Sequence, residues 1–295
     1  MTWVTTKDAV CVLDAKAQTG ESPVWVPEEQ ALYWTDIPGK TLNRFDPATG
    51  ANRVWPMPEE VGSFALREGG GLIAALRSGF ALIDLERGQI ERLIDPEADR
   101  PENRFNDGRC DRQGRFWAGS MNEPRDARSG ALYRLDSDHR CQRMADDVMV
   151  ANGLAFSPDD RVMYWSDSRA LTIWAFDFDA ASGAIANRRI FARLAPHQGG
   201  PDGAAVDAEG GYWSACYRGA RVMRFRPDGT IERKIRLPVS RVTMCAFGGP
   251  DLRTLYITSA RGGLSAADLE REPLAGGIFA LQVDVAGLPE PRFKG

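Results

Sequence analysis

A short apolar phrase returns six times along this chain of 295 residues. It reads LYWTDI from Leu32, LIAALR from Leu72, FWAGSM from Phe116, MYWSDS from Met163, YWSACY from Tyr212 and LYITSA from Leu255, at steps of 40, 44, 47, 49 and 43 residues. A period of this size marks a repeat architecture, in which each unit is one supersecondary element that cannot bury its own faces alone. A second phrase follows each first one: LNRFDPATG, FALIDLERG, ALYRLDSDH, IWAFDFDAASG, VMRFRPDGT and IFALQVD. The fifth unit shows the internal plan. Its apolar segments fall at about 203–207, 211–216, 220–226 and 230–235, separated by AEGG, YRGA and PDG. These are turn compositions, so the unit reads as a four-stranded antiparallel meander.

Six such meanders must stack to cover their faces, and radial stacking gives an all-β, six-bladed β-propeller over residues 1–295 as a single domain. The last unit runs out after GGIFALQVDVAG, while the early segment AVCVLDAK is spare. That early segment is therefore expected to supply the missing outer strand of the last blade and close the ring. The main helical candidate is LSAADLER, with Ser265 as its N-cap and acidic residues in the first turn.

The bulk chemistry excludes several partners. With 37 Lys and Arg against 41 Asp and Glu, the net charge is −4, and no basic run is present to neutralise phosphates. Nucleic acid is thus not an expected partner. No stretch approaches the ~20 apolar residues of a membrane span, so no membrane partner is expected. The opening MTWVTTKDAVCVLDAK has no basic region followed by an apolar run, and no signal peptide is expected. Five cysteines without CxxC spacing fit a reduced, cytoplasmic setting without a cysteine metal site. Two histidines, His139 and His197, leave little material for a His-rich metal site or a Ser–His–Asp triad.

The repeats also locate a polar constellation. Counting back five residues from the turn before each second strand lands on Glu21, Asn106, Asn152 and Asp202, and on Val61 and Met244 in the other two units. That position opens the innermost strand of each blade, so four polar side chains far apart in sequence are expected to converge on the propeller axis. Two carboxylates and two amides form a hard-oxygen set that suits Ca²⁺, Mg²⁺ or Mn²⁺. Without a cation, two gathered carboxylates repel and one carboxyl pKa rises. Gly108, Gly153 and Gly203 stand close by, where a small residue permits close backbone approach or positive φ.

The stretches GESPVW (20–25), RFNDG (104–108), ANGLAFSPD (151–159) and GGPDGAAVD (199–207) together resemble the senescence-marker-protein/gluconolactonase/luciferin-regenerating-enzyme family, which includes regucalcin and bacterial sugar lactonases. FGGPDLRTLYITSARGGLS and PLAGGIFA, within 247–280, resemble the bacterial lactonase branch. The resemblance spans nearly the whole chain. It implies a six-bladed propeller with one divalent cation on its axis, the occupant being Ca²⁺, Zn²⁺, Mn²⁺ or Fe²⁺. It implies Glu21, Asn152 and Asp202 as metal ligands and Asp202 as the acid/base residue. Arg104, Asn106 and Glu123 then match substrate-binding positions.

The activity implied is hydrolysis of an aldonolactone (glucono-, galactono-, arabinono- or xylonolactone) to the aldonic acid, so a small-molecule sugar lactone is the expected partner. Two other readings stand beside it: a metal-dependent phosphotriesterase-like hydrolase, and a non-enzymatic calcium-binding propeller. His197 reads as an exposed loop residue and His139 as part of an outer turn, while Trp34, Trp117, Trp165 and Trp213 read as second-strand core.

Overall fold

The structure is a computed structural model that describes residues 2–4 and 9–295. Six antiparallel sheets of four strands each form the blades of a propeller. Blade 1 comprises Gly20–Val26, Ala31–Asp36, Thr41–Phe45 and Asn52–Pro56, and blade 2 comprises Val61–Leu66, Leu72–Leu76, Gly79–Asp84 and Gln89–Ile94. Blade 3 runs through Asn103–Cys110, Phe116–Asn122, Gly130–Leu135 and Cys141–Val148, and blade 4 through Ala151–Phe156, Val162–Asp167, Thr172–Asp179 and Ala184–Arg193. Blade 5 holds Gly200–Val206, Tyr212–Tyr217, Arg221–Phe225 and Ile231–Arg236, with Thr2–Val4 added parallel to its outer strand. Blade 6 holds Val242–Gly248, Thr254–Ser259 and Ile278–Gln282, and its outer strand is Val10–Leu13. The early segment thus completes the last blade, as its unpaired status in the sequence foretold.

The innermost strand of each blade touches those of its two neighbours, and blade 6 touches blade 1, so the ring closes. Burial follows the radius. Innermost and second strands are almost entirely buried, whereas outer strands such as Gln89–Ile94 and Asn52–Pro56 are largely exposed. The core lies between blades. Trp117 of blade 3 meets Phe156 of blade 4 edge-on at 5.9 Å, and Trp213 of blade 5 meets Phe247 of blade 6 at 5.7 Å. Trp34 and Trp165 are likewise buried, so all four second-strand tryptophans are core. The helix is Ala266–Arg271, with Ser265 accepting the Asp268 amide in a capping box. His197 is exposed and His139 stacks on Phe293 at an outer turn.

One turn residue anchors whole blades. Asp207 is fully buried and its carboxylate accepts hydrogen bonds from Trp213 Nε1 at 2.7 Å, Arg224 Nε at 2.7 Å and the Gly211 amide at 2.8 Å. Asp111 holds the same place in blade 3, accepting from Trp117 Nε1 at 2.9 Å and Arg115 Nε at 2.6 Å. Each carboxylate ties the first turn to the second strand and, in blade 5, to the third. The chain's last residues cross the turns at this end of the channel. Phe293 is fully buried and its amide donates to Leu66 O, while Glu290 pairs with Arg109 at 2.9 Å.

Asp207→Ala leaves the Arg224 guanidinium and Trp213 indole facing an apolar gap, so it is expected to destabilise the fold by about 3–5 kcal/mol. Asp207→Asn, which retains acceptors, should cost less. Denaturant midpoints decide; a loss below about 1 kcal/mol in Asp207→Ala would remove this residue as an anchor.

Candidate functional site

The site residues come from strand geometry that departs from a regular ladder. In all six innermost strands the register slips near the start: between Glu21 and Val24, Val61 and Ser63, Phe105 and Gly108, Asn152 and Ala155, Pro201 and Ala204, and Val242 and Cys245. Such bulges bend a strand and re-aim its side chains. Glu21 and Asn152 are the last paired residues before the slip, whereas Asn106 and Asp202 lie inside it. The four positions that appear equivalent by counting from the turn therefore differ by one place in the ladder. In blades 1 and 4 the residue after the slip's edge is left-handed: Ser22 at φ 46° and Gly153 at φ 64°. A Cβ at Gly153 would also come within 2.4 Å of the Tyr212 hydroxyl, so this position requires glycine twice over.

A chain of hydrogen bonds spans three blades at this mouth. Arg104 Nη1 donates to Asn106 Oδ1 at 3.0 Å and to Phe105 O at 2.9 Å. Asn106 Nδ2 donates to Asn152 Oδ1 at 3.1 Å and to Ala151 O at 2.9 Å. Asn152 Nδ2 donates to Ser168 Oγ at 2.8 Å, and Ser168 Oγ donates to Pro201 O at 2.7 Å, beside Asp202. The network fixes which end of each amide carries oxygen.

Glu21, Asn106, Asn152 and Asp202 are all buried. Loss of solvent pushes the Glu21 carboxyl well above its ordinary range, and the Asp202 and Asp107 charges push it further. Asp202 rises well above its range for the same first reason, with Asp107 adding to it. The Arg104 charge pulls both back down. Two buried carboxylates that disfavour each other's ionisation, with amide oxygens beside them, have the donor chemistry of a hard divalent cation site. Among the described residues no three His, Cys, Asp or Glu side chains gather as a metal cluster; the axial group offers two carboxylates, and amides supply its remaining oxygens.

Glu123 sits apart from this axial group. Its Oε1 lies 3.7 Å from Arg104 Nε, and its Oε2 pairs with Arg77 Nη2 at 2.6 Å. Arg77 also pairs with Glu60 at 2.7 Å. Beside Arg104, toward blade 2, opens a cavity of about 300 Å³ lined by Arg77, Glu97, Arg100, Asn103 and Arg104. Asp107, in RFNDG, stands one place beyond the position that the repeat spacing marks, and nothing in the spacing singles it out. Its Oδ2 accepts the Leu154 amide at 2.8 Å, while its Oδ1 is buried without a partner. Ser168, which links blades 4 and 5, carries no signal in the sequence.

Fold and site together define a class: a six-bladed propeller with buried oxygen donors converging on its axis at one mouth. The chain belongs to the SMP-30/gluconolactonase/LRE-like family, whose model matches residues 19–261. It is 48% identical to a 6-deoxy-6-sulfogluconolactonase of Pseudomonas putida over 97% of this chain and 98% of that one. It is 40% identical to regucalcin of Oryctolagus cuniculus over 97% of this chain and 98% of that one. Among solved structures, a calcium-binding protein, regucalcin, from Agrobacterium tumefaciens superposes with a TM-score of 0.95 at 27% identity, covering 100% of both chains.

Burial raises the Asp107 carboxyl to about 6. A folded-state pKa raised above the unfolded value of about 3.9 gives stability that is fully present below about pH 4 and lost as pH rises through about 6. With chelator present, Asp107→Asn should therefore be more stable than wild type at pH 8, by up to about 2–3 kcal/mol, and indistinguishable near pH 4. A stability difference constant across that range, read from denaturant midpoints, would show that ionisation of Asp107 is not the cause.

Proposed function

We propose that the protein is a divalent-metal-dependent sugar lactonase that opens an aldonolactone to the aldonic acid. The observation that carries this reading is the convergence of Glu21, Asn152 and Asp202 beside Asn106 and Arg104, in a chain whose relatives include a lactonase over nearly its full length. Glu21, Asn152 and Asp202 would hold the cation, which when bound supplies Lewis-acid polarisation of the lactone carbonyl. Ca²⁺, Zn²⁺, Mn²⁺ and Fe²⁺ all suit a mixed oxygen set, and regucalcin relatives favour Ca²⁺.

The protein's own groups divide the remaining work. Asp202 accepts the proton of the attacking water as the new carbon–oxygen bond forms, and that proton then goes to the ring oxygen as the ester bond breaks. Arg104 presents a planar set of donors to lactone oxygens or sugar hydroxyls and is itself oriented by Asn106 and Phe105 O. Asn106 bridges Arg104 to Asn152 and so keeps the substrate-facing and cation-facing groups in one register. Glu123, held between Arg77 and Arg104, is placed to accept from a sugar hydroxyl at the rim. Glucono-, galactono-, arabinono- and xylonolactone are all candidates, and the sulfonated lactone of the 48% identical relative joins them.

Acid release from these lactones, with and without chelator, tests the reading, with a phosphotriester as the competing substrate. Chelation should abolish lactone hydrolysis and a divalent cation restore it. Asp202→Asn keeps one oxygen ligand but removes the base; at saturating metal it should remain about 10²–10⁴-fold slow. Arg104→Lys keeps the charge and loses the planar fork, so it should lower kcat/KM for lactone while bound metal stays near one ion per chain. Wild-type rates in both metal-loaded variants would remove these residues from the mechanism.

A further inference from the structure

We infer that Arg125 is a specificity-determining residue that receives an anionic group, a sulfonate or a phosphate ester, carried on the last carbon of the lactone. The inference rests on the lactonase reading and narrows its substrate class.

Topology places Arg125 over the site. The second strand of blade 3, Phe116–Asn122, runs antiparallel to the strand that begins with Asn103 and Arg104, so it ends at the mouth where Arg104 and Asn106 lie. The loop that follows is a built turn. The buried Asn122 accepts the Asp126 amide at 2.9 Å and the Ala127 amide at 3.2 Å through Oδ1, and its own carbonyl accepts the Arg125 amide at 3.1 Å. Arg125 occupies the apex of that turn in the left-handed region, at φ 61°, an unusual conformation for a residue with a long side chain. The backbone is thus fixed and the side chain exposed.

Its charge is uncommitted. Arg128, in the same loop, pairs with Asp147 at 2.8 Å, and Arg77 is taken by Glu60 and Glu123. Arg104 lies 3.7 Å from Glu123. Arg77 and Arg104 thus share Glu60 and Glu123 between them, and Arg125 is left without a carboxylate partner. Among the described residues it makes neither an ion pair nor a side-chain hydrogen bond. Its field nonetheless reaches inward, helping to keep Glu123 ionised and opposing the charge of Arg104. A neutral sugar has no use for a surplus cation at the rim. A lactone whose ring sits at Asp202 and Arg104 and whose terminal carbon bears an oxyanion matches it, since guanidinium and tetrahedral oxyanion pair bidentately. The relative that acts on a 6-sulfonated lactone shares this substrate chemistry.

The test compares wild type, Arg125→Gln and Arg125→Lys on gluconolactone, 6-phosphogluconolactone and 6-deoxy-6-sulfogluconolactone. Wild type should favour at least one anionic lactone over the neutral one. Arg125→Gln should lower kcat/KM for that lactone about 10–100-fold, at least about tenfold more than for gluconolactone. Arg125→Lys should recover part of the loss, and raising salt from about 0.05 to about 0.5 M should shrink the anionic preference. The larger loss, on sulfonate or phosphate, names the group received. Equal losses on neutral and anionic lactones, or none, overturn the inference. Calorimetric binding of 6-phosphogluconate against gluconate gives a readout without turnover. If wild type hydrolyses no lactone, the lactonase reading falls, while a tenfold tighter hold on 6-phosphogluconate by wild type than by Arg125→Gln still supports the role of Arg125. Equal binding in both proteins overturns it.

Discussion

Two carboxylates, Glu21 and Asp202, are buried within electrostatic reach of each other where the propeller's strands meet, and each makes the other harder to ionise. A flexible chain would relax such an arrangement by moving apart. Here it persists because each carboxylate is fixed by a different blade, and the blades are locked in a closed ring by apolar contacts between them, such as Trp117 on Phe156 and Trp213 on Phe247. The closing strand Val10–Leu13 completes that ring, so residues at one end of the sequence help hold charges introduced far along it. The strain of the site is carried by the stability of the whole propeller, as active sites commonly require.

Blade number, strand order and the closing strand were legible in the sequence because they follow from a repeated apolar pattern, and packing leaves such patterns little choice. The convergence of Glu21, Asn106, Asn152 and Asp202 was legible because equal spacing from a turn implies equal height along the axis. What the count missed is the bulge in every innermost strand, which splits the four into two pairs one ladder place apart. Bulges depend on how neighbouring backbones crowd the axis, a relation between strands distant in sequence. Gly153 hinted at it through its freedom to be left-handed; Ser22, at the matching place in blade 1, gave no such hint. Asp107 was visible in RFNDG, yet its buried, half-satisfied carboxylate follows only from the Leu154 amide that another blade supplies.

The two ends of the channel are built for opposite purposes. At the far end, Arg109 reaches across the axis from blade 3 to Ala204 O of blade 5 at 2.7 Å and pairs with Glu290 of the final segment. Charge there is neutralised at once, and the buried Phe293 seals the crossing. No repeat signals this segment, because it belongs to no blade; its register is set by the turns it covers, through bridges from Gly287 to Asp207 and from Phe293 to Arg67.

At the near end the balance is left open. The axial carboxyls are poorly solvated and resist ionisation, while Arg125 on the rim above them has no carboxylate partner. A divalent cation on the axis would cancel the first imbalance and leave the second in place. On the proposed reading the mouth would then present a neutralised centre beside one unpaired guanidinium, an arrangement suited to a molecule whose anionic group lies away from its reacting end.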